Sequence, residues 1–312
     1  MTDPARLTEF SDPDRQAECL SELVSLGDWV RFAASQMGAH EVFYGHGFES
    51  GWDEAVFLCL RGLHLDWDAP PQVLYGRLLN AERSRLWALI QRRCVDRIPT
   101  AYLLSEAWYF GEPFKVTPEV LIPRSPIAEL IEDRFEPWID SEPETILDLC
   151  TGSGCIGIAC ARAFPDAQVH LSDLSEDAIR LAIDNIDTKD LGWQVSAFQG
   201  DLFESLDGQR YDLIVSNPPY VDTEDLDSMP EEFHHEPRLG LEAGEDGLDI
   251  VRRILKEAPN YLTDQGLLVC EVGNSAAALI EAYPDLPFEW PEFASGGHGV
   301  FVISAEALRE RQ

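Results

Sequence analysis

The sequence predicts an α/β fold, a sheet with helices on both faces, preceded by a small all-helical domain. Three observations carry this expectation. From about Ile127 onward, β-prone runs alternate with helical stretches, the pattern of a sheet wrapped by helices. Residues 1 to about 100 show helical spacing and no strand alternation. The first β-prone run of the second part passes directly into a glycine-rich turn.

Taken in order, Arg15 to Met37 places Cys19, Leu20, Leu23, Val24, Leu26, Val30 and Phe32 at near-helical intervals. A second run follows Trp52 (Ala55, Val56, Leu58, Cys59, Leu60, Leu63), Pro70-Pro71 breaks the pattern, and a third run spans Leu74 to Val95. Between Trp108 and Pro123 the character changes. Two short β-prone runs around Thr117-Pro118-Glu119 suggest a hairpin, read as the connection between domains. Strands are then expected at Thr145 to Cys150, Gln168 to Ser172, Trp193 to Phe198, Tyr211 to Ser216, Gly266 to Val272 and Gly299 to Ser304. Helical stretches such as Glu176 to Ile186 and Gly247 to Ala258 separate most of them. The expected boundaries are residues 1–105 for the helical domain, 106–123 for a β-hairpin linker and 124–312 for the α/β domain.

Hydrophobic residues at 45% and charged residues at 26% are ordinary for a globular chain. No window approaches the roughly 18 consecutive apolar residues of a membrane helix, so no membrane partner is expected. Met1-Thr2-Asp3-Pro4-Ala5-Arg6 has neither the basic nor the apolar region of a secretory signal; a cytoplasmic protein is the expectation. Cys150, Cys155 and Cys160 recur at a spacing that matches no zinc pattern. They are read as small core side chains, and no metal is expected. The net charge of −34 is the unusual quantity. Nucleic-acid binders gain affinity by neutralising phosphates with Lys and Arg, and this surface would repel them.

The chemistry is concentrated at strand ends. Asp148-Leu149-Cys150-Thr151-Gly152-Ser153-Gly154-Cys155-Ile156-Gly157 satisfies GxGxxG between a strand and a helix, the setting of a nucleotide pocket. Asp148, Thr151, Gly152 and Gly154 are therefore candidate cofactor residues, in a motif that NAD enzymes share. Asp173 follows the second strand, where a carboxylate can accept hydrogen bonds from both ribose hydroxyls; followed by Ser175 and Glu176, it also fits a helix cap. Asp201, after the third strand, is a candidate acceptor for an adenine amino group or simply a loop acid. The fourth strand ends in Asn217-Pro218-Pro219-Tyr220. Two prolines fix φ and remove two N–H donors, which leaves carbonyls free to face a pocket. Asn217 adds an amide oxygen and Tyr220 a flat apolar face. The set suits a planar –NH2 group, with the Asn217 Oδ1 and the Pro218 carbonyl as acceptors.

At these residues the chain resembles the HemK-like glutamine N(5)-methyltransferases, which share N-P-P-Y with amino-methylating DNA enzymes. The resemblance covers most of the chain: Phe110-Gly111 to Phe114, Ile122-Pro123-Arg124, Asp148 to Gly154, Asp173, Asn217 to Tyr220, Glu236-Pro237 and Glu271-Val272-Gly273. Phe43-Tyr44-Gly45-His46-Gly47, Trp52-Asp53-Glu54-Ala55, Pro123 to Ile127 and Gly296 to Phe301 are similar to the PrmB-type branch, which modifies the third protein of the large ribosomal subunit. What the resemblance implies is a Rossmann-like seven-stranded sheet with an antiparallel last strand and S-adenosyl-L-methionine as cofactor. It also implies Asn217, Pro218, Pro219 and Tyr220 as catalytic residues, with Asn217 touching cofactor as well as substrate and Glu236 on the substrate side. A basic ribosomal protein is the implied partner, selected by the N-terminal helical domain. A release factor is the alternative, and a DNA or RNA amino-methyltransferase the second. Trp52 to Ala55 is read either as helix-start packing or as partner recognition, His234 and His235 as part of a loop covering the substrate, and His298 as either structural or substrate-side.

Overall fold

The computed structural model describes residues 8–310 apart from Asp140 and Ser295; the Met1–Arg6 stretch read above lies outside the described residues. In chain order the elements are α1 (Thr8–Ser11), α2 (Pro13–Glu22), α3 (Leu26–Ala39), α4 (Gly51–Gly62), α5 (Asn80–Cys94), α6 (Thr100–Leu104), β1 (Glu106–Tyr109), β2 (Glu112–Lys115) and α7 (Ile127–Glu132). There follow β3 (Thr145–Leu149), α8 (Cys155–Ala163), β4 (Gln168–Asp173), α9 (Glu176–Thr188), β5 (Val195–Gln199), β6 (Tyr211–Ser216) and α10 (Thr223–Ser228). The last are α11 (Asp249–Glu257), β7 (Leu262–Glu271), α12 (Ala276–Ala282), β8 (Val300–Ser304) and α13 (Ala305–Arg309). By their contacts they form two compact units, Met1–Glu106 with Pro230–His235, and Ala107–Met229 with Glu236–Gln312.

The first unit is helical around a core of Trp29, Val30, Ala33, Met37, Ala55, Leu58, Cys59, Leu86 and Ile90. The run read as one helix from Arg15 to Met37 is two. Ser25 caps α3, accepting from the Asp28 N–H while the Asp28 carboxylate accepts from the Ser25 N–H, a reciprocal box that fixes a helix start. The third run begins later than expected because Leu78 N–H donates to the Val24 carbonyl and Ser25 bridges Arg77, so this stretch is extended and the helix starts at Asn80. Segment Pro230–His235 is held here by buried charge. Glu232 accepts from Arg93, Arg97 and the Phe43 N–H, and Arg93 also donates to Glu54. Arg93, Glu54 and Glu232 are 1%, 1% and 2% exposed. The Phe233 ring lies 4.5 Å from His46 and 5.7 Å from Phe43.

In the second unit the sheet runs β5-β4-β3-β6-β7-β8, parallel throughout except for antiparallel β8. Its central strands β3 and β6 are buried on both faces. Ile146, Val169, Leu213, Val269 and Val302 pack on one side with α7 and α8 residues, and Leu147, Ile214, Leu268 and Phe301 on the other with α11 and α13 residues. The fold class is the expected α/β, Rossmann-like one with an N-terminal helical region, and the last strand is antiparallel as expected. The expected seventh strand shrinks to a single antiparallel bridge between Glu289 and Val302. Pro287 and Pro291 flank it and lack the N–H groups a longer ladder needs.

The hairpin also differs from expectation. Its strands are β1 and β2, and the turn is Phe110-Gly111, both at positive φ (50° and 72°), the backbone a two-residue hairpin loop requires. Thr117 to Val120 is an ordinary turn closed by the Val120 N–H on the Thr117 carbonyl. Residues Ala107 to Pro123 belong to the second unit. The Asn185 side chain on α9 ties β2 there, accepting from the Lys115 N–H and donating to the Lys115 and Ser153 carbonyls.

Candidate active site

The chain departs from β3 on opposite sides toward β4 and β6, which makes the carboxyl end of β3 a topological switch point, where α/β sheets bind ligands. A cavity of about 210 Å³ opens there, its walls including Thr151, Gly152, Asp173, Asp201, Asn217 and Pro219. Ile122 to Ser125, Leu239 and Arg253 also line it.

The turn after β3 shows why its residues are what they are. Cys150, Gly152 and Gly154 have φ of 61°, 56° and 83°, and left-handed backbone favours glycine. A Cβ on Gly152 would project into open space beside the cavity. Asp148 is fully buried and does not line the cavity. Its Oδ2 accepts from the Thr151 hydroxyl (2.5 Å) and the Gly157 N–H (2.8 Å), so its role is to hold the turn. Gly154 likewise acts behind the wall, as the residue at the start of α8. Burial pushes the Asp148 carboxyl up to about 7, against the hydrogen bonds from Thr151 and Gly157. The cap of α9 is Ser175 and not Asp173. Its Oδ2 accepts from the Gly152 N–H and its Oδ1 from the Ser175 N–H, and it still lines the cavity; burial raises its carboxyl above the ordinary range. Asp201 pairs with Arg253 at 2.8 Å.

At the end of β6, Asn217 lines the cavity, and its Oδ1 is buried with no hydrogen-bond partner. Pro219 is also in the wall, whereas Pro218 and Tyr220 are not. Tyr220 donates its hydroxyl to Glu271 (2.8 Å), and burial raises its pKa. Glu236, expected on the substrate side, is turned instead onto Arg124, which donates to both of its oxygens at 2.5 and 2.8 Å. Any action of Glu236 on a ligand therefore passes through Arg124, a residue of the cavity wall. The reason is electrostatic: a buried carboxylate takes the bidentate guanidinium partner close at hand.

Other residues fall outside the cavity. In the first unit, Trp52 to Ala55 is a helix start, with Ser50 as cap and Glu54 in the buried charge cluster. There too, His235 faces the Asp96 carbonyl. In the second unit, His298 meets Asn274 Oδ1 at 3.0 Å. Arg124, Ser125, Arg253 and Glu271 are the residues that sequence reasoning gave no role. Glu271 carried two usable signals, its position at the carboxyl end of a strand and its place in a segment shared with the resembled family.

The profile of the family described as Methyltransferase small domain matches residues 135–279. A ribosomal protein uL3 glutamine methyltransferase of Francisella tularensis subsp. tularensis is 47% identical over 94% of this chain and 94% of its own length. One of Xanthomonas campestris pv. campestris is 45% identical over 94% of this chain and 95% of its own. Among solved structures, a methyltransferase from Pyrococcus furiosus superimposes with a TM-score of 0.45 at 16% identity, covering 62% of this chain and 88% of that one. Identity of this order along nearly the whole of both chains is decisive: the chain belongs to the family of ribosomal protein uL3 glutamine methyltransferases.

Proposed function

We propose that the chain transfers a methyl group from S-adenosyl-L-methionine to the side-chain amide nitrogen of a glutamine in the third protein of the large ribosomal subunit, uL3. The observation that carries the chemistry is the buried, unpartnered Asn217 Oδ1 in a residue of the cavity wall. A buried acceptor without a donor costs about 1–3 kcal/mol, and a donor arriving with the substrate offsets it. A primary amide is such a donor, planar and carrying two hydrogens.

The residues present fit the cofactor. The open side of Gly152 gives a ligand close approach to backbone, Asp173 is the acceptor for ribose hydroxyls, and Asp201 stands where an adenine amino group would be read. When bound, S-adenosylmethionine supplies an electrophilic sulfonium methyl. The protein's own part is to orient and polarise, because an amide nitrogen is a weak nucleophile with a delocalised lone pair. As that nitrogen gains positive character its hydrogen binds the Asn217 Oδ1 more strongly, which favours the transition state over the ground state.

The choice of uL3 rests on the family to which the chain belongs. Charge supports it: ribosomal proteins are basic, and a chain of net charge −34 attracts them over long range and speeds encounter. The helical unit is assigned to substrate selection. The test has two parts. Calorimetric titration with S-adenosylmethionine and with NAD should show binding of the first alone. Mass mapping of uL3 after incubation with methyl-labelled cofactor should place the label on a glutamine amide. Binding of NAD instead, or label on a lysine or arginine, would overturn the reading.

A further inference from the structure

The segment Glu271-Val272-Gly273 meets the Tyr220 side chain, and Gly299 backs that segment. The Glu271 side chain is buried at the end of β7. Its Oε1 accepts from the Tyr220 hydroxyl at 2.8 Å and its Oε2 from the Ser125 hydroxyl at 2.6 Å. Gly273, at φ +45°, lies so close to the ring that a Cβ there would sit 2.4 Å from Tyr220 Cε2. Gly299 fixes that glycine in turn, its carbonyl accepting from the Val272 and Gly273 N–H groups, and a Cβ on Gly299 would sit 2.2 Å from the Gly273 oxygen. The Tyr220 carbonyl accepts from the Ser275 hydroxyl at 2.8 Å. Hydroxyl, ring and main chain of Tyr220 are thus held by Glu271, Gly273 and Ser275, residues of one short stretch.

A phenol can be satisfied by a single backbone carbonyl. Here it is served by a buried carboxylate, a group expensive to bury unless its lone pairs are used, and this one is braced by a second hydroxyl. Burial raises the Glu271 carboxyl above its ordinary value, opposed by the hydrogen bonds from Ser125 and Tyr220. We infer that Glu271 is a positioning residue for methyl transfer: braced by Ser125, it sets the orientation of Tyr220, and through it the shape of the Asn217–Tyr220 turn on which the substrate amide is aligned. The inference rests on the proposed function for its kinetic arm and on geometry alone for its spectroscopic arm.

The full-length protein is compared with its Glu271→Ala, Glu271→Gln, Tyr220→Phe and Glu271→Ala/Tyr220→Phe variants. Loss of alignment in Glu271→Ala lowers kcat for uL3 on the order of 10- to 100-fold, with little change in cofactor Kd. Glutamine offers an oxygen and an amide hydrogen to the same two hydroxyls, so Glu271→Gln recovers kcat to within about threefold of the wild type. Tyr220→Phe matches Glu271→Ala, and the double variant is no worse than either, as expected of two residues acting in one unit. In protein labelled with 13C-tyrosine, the Tyr220 ring signal, assigned by its loss in Tyr220→Phe, shifts and sharpens in Glu271→Ala and stays put in Glu271→Gln. A Glu271→Gln protein with wild-type melting that is as slow as Glu271→Ala would overturn the inference, because the charge rather than the hydrogen bonds would then matter. An unmoved ring signal in Glu271→Ala would overturn it too; should that variant fail to fold, Ser125→Ala takes its place, and a ring signal unmoved there is equally fatal. Wild-type protein inactive on uL3 would count against the proposed function instead, leaving the ring signal to decide the role of Glu271.

Discussion

Asn217 carries the chemical argument because an orphaned acceptor in a cavity wall is a cost the folded protein bears without a compensating partner of its own. Replacing it with Ala should lower methyl transfer by roughly 10²-fold or more, the loss typical of a transition-state hydrogen-bond partner, while cofactor affinity measured by calorimetry stays nearly unchanged. Asp148 makes a different prediction. Burial holds its carboxyl at about 7 against an ordinary 3.8, so the folded state binds the proton more tightly than the unfolded one. The stability this group contributes is present below the unfolded value and is lost as pH rises through the folded one. Asp148→Asn does not titrate, so its stability relative to wild type should improve from about pH 4 to about pH 7 and level off above that in urea unfolding; a constant difference would refute the burial argument. Asn217, Asp173 and Gly152 were legible in the sequence because each occupies a strand end, where side chains and turns have a fixed relation to the sheet. The Glu236 partner was not. Arg124 meets Glu236 across 112 residues of chain, and no local pattern announces such a pair.

At the scale of elements, GxGxxG is a packing device as much as a binding one. Gly157 on α8 leaves so little room against β4 that a Cβ would lie 2.2 Å from Leu171 Cδ2 and 2.9 Å from Asp148 Cβ. Gly157→Val should therefore destabilise the protein by about 1–3 kcal/mol through overpacking, read as a lower urea midpoint; an unchanged midpoint would show that the helix shifts freely. The central strands β3 and β6 were readable from nearly continuous apolar runs buried on both faces. The hairpin register was not, because Phe110-Gly111 competes with Thr117-Pro118-Glu119 as a turn and only the tie from Asn185 to Lys115 decides between them. The seventh strand failed for a local reason that was visible, the prolines at 287 and 291. The placement of Pro230–His235 with the helices was out of reach, since it depends on Glu232 meeting Arg93 and Arg97 from 139 and 135 residues away.

Across the whole molecule, 57 acidic residues against 23 basic ones leave a net charge of −34. Like charges at this density oppose the compact state, and salt screens them. The melting temperature should rise between about 0.01 M and about 1 M KCl, as the Debye length falls from ~30 Å to ~3 Å. A flat or falling curve would mean that self-repulsion is not a significant term. The same charge argues for a basic protein substrate over a nucleic acid, although attraction over long range does not choose among basic proteins. The most direct measurement incubates the enzyme and methyl-labelled S-adenosylmethionine separately with uL3, a peptide chain release factor, DNA and RNA, at matched ionic strength. The account predicts label in uL3, on a glutamine amide, abolished by Asn217→Ala. Label in the release factor and not in uL3 would contradict the substrate, and label in a nucleic acid alone would contradict both the substrate and the reading of the charge.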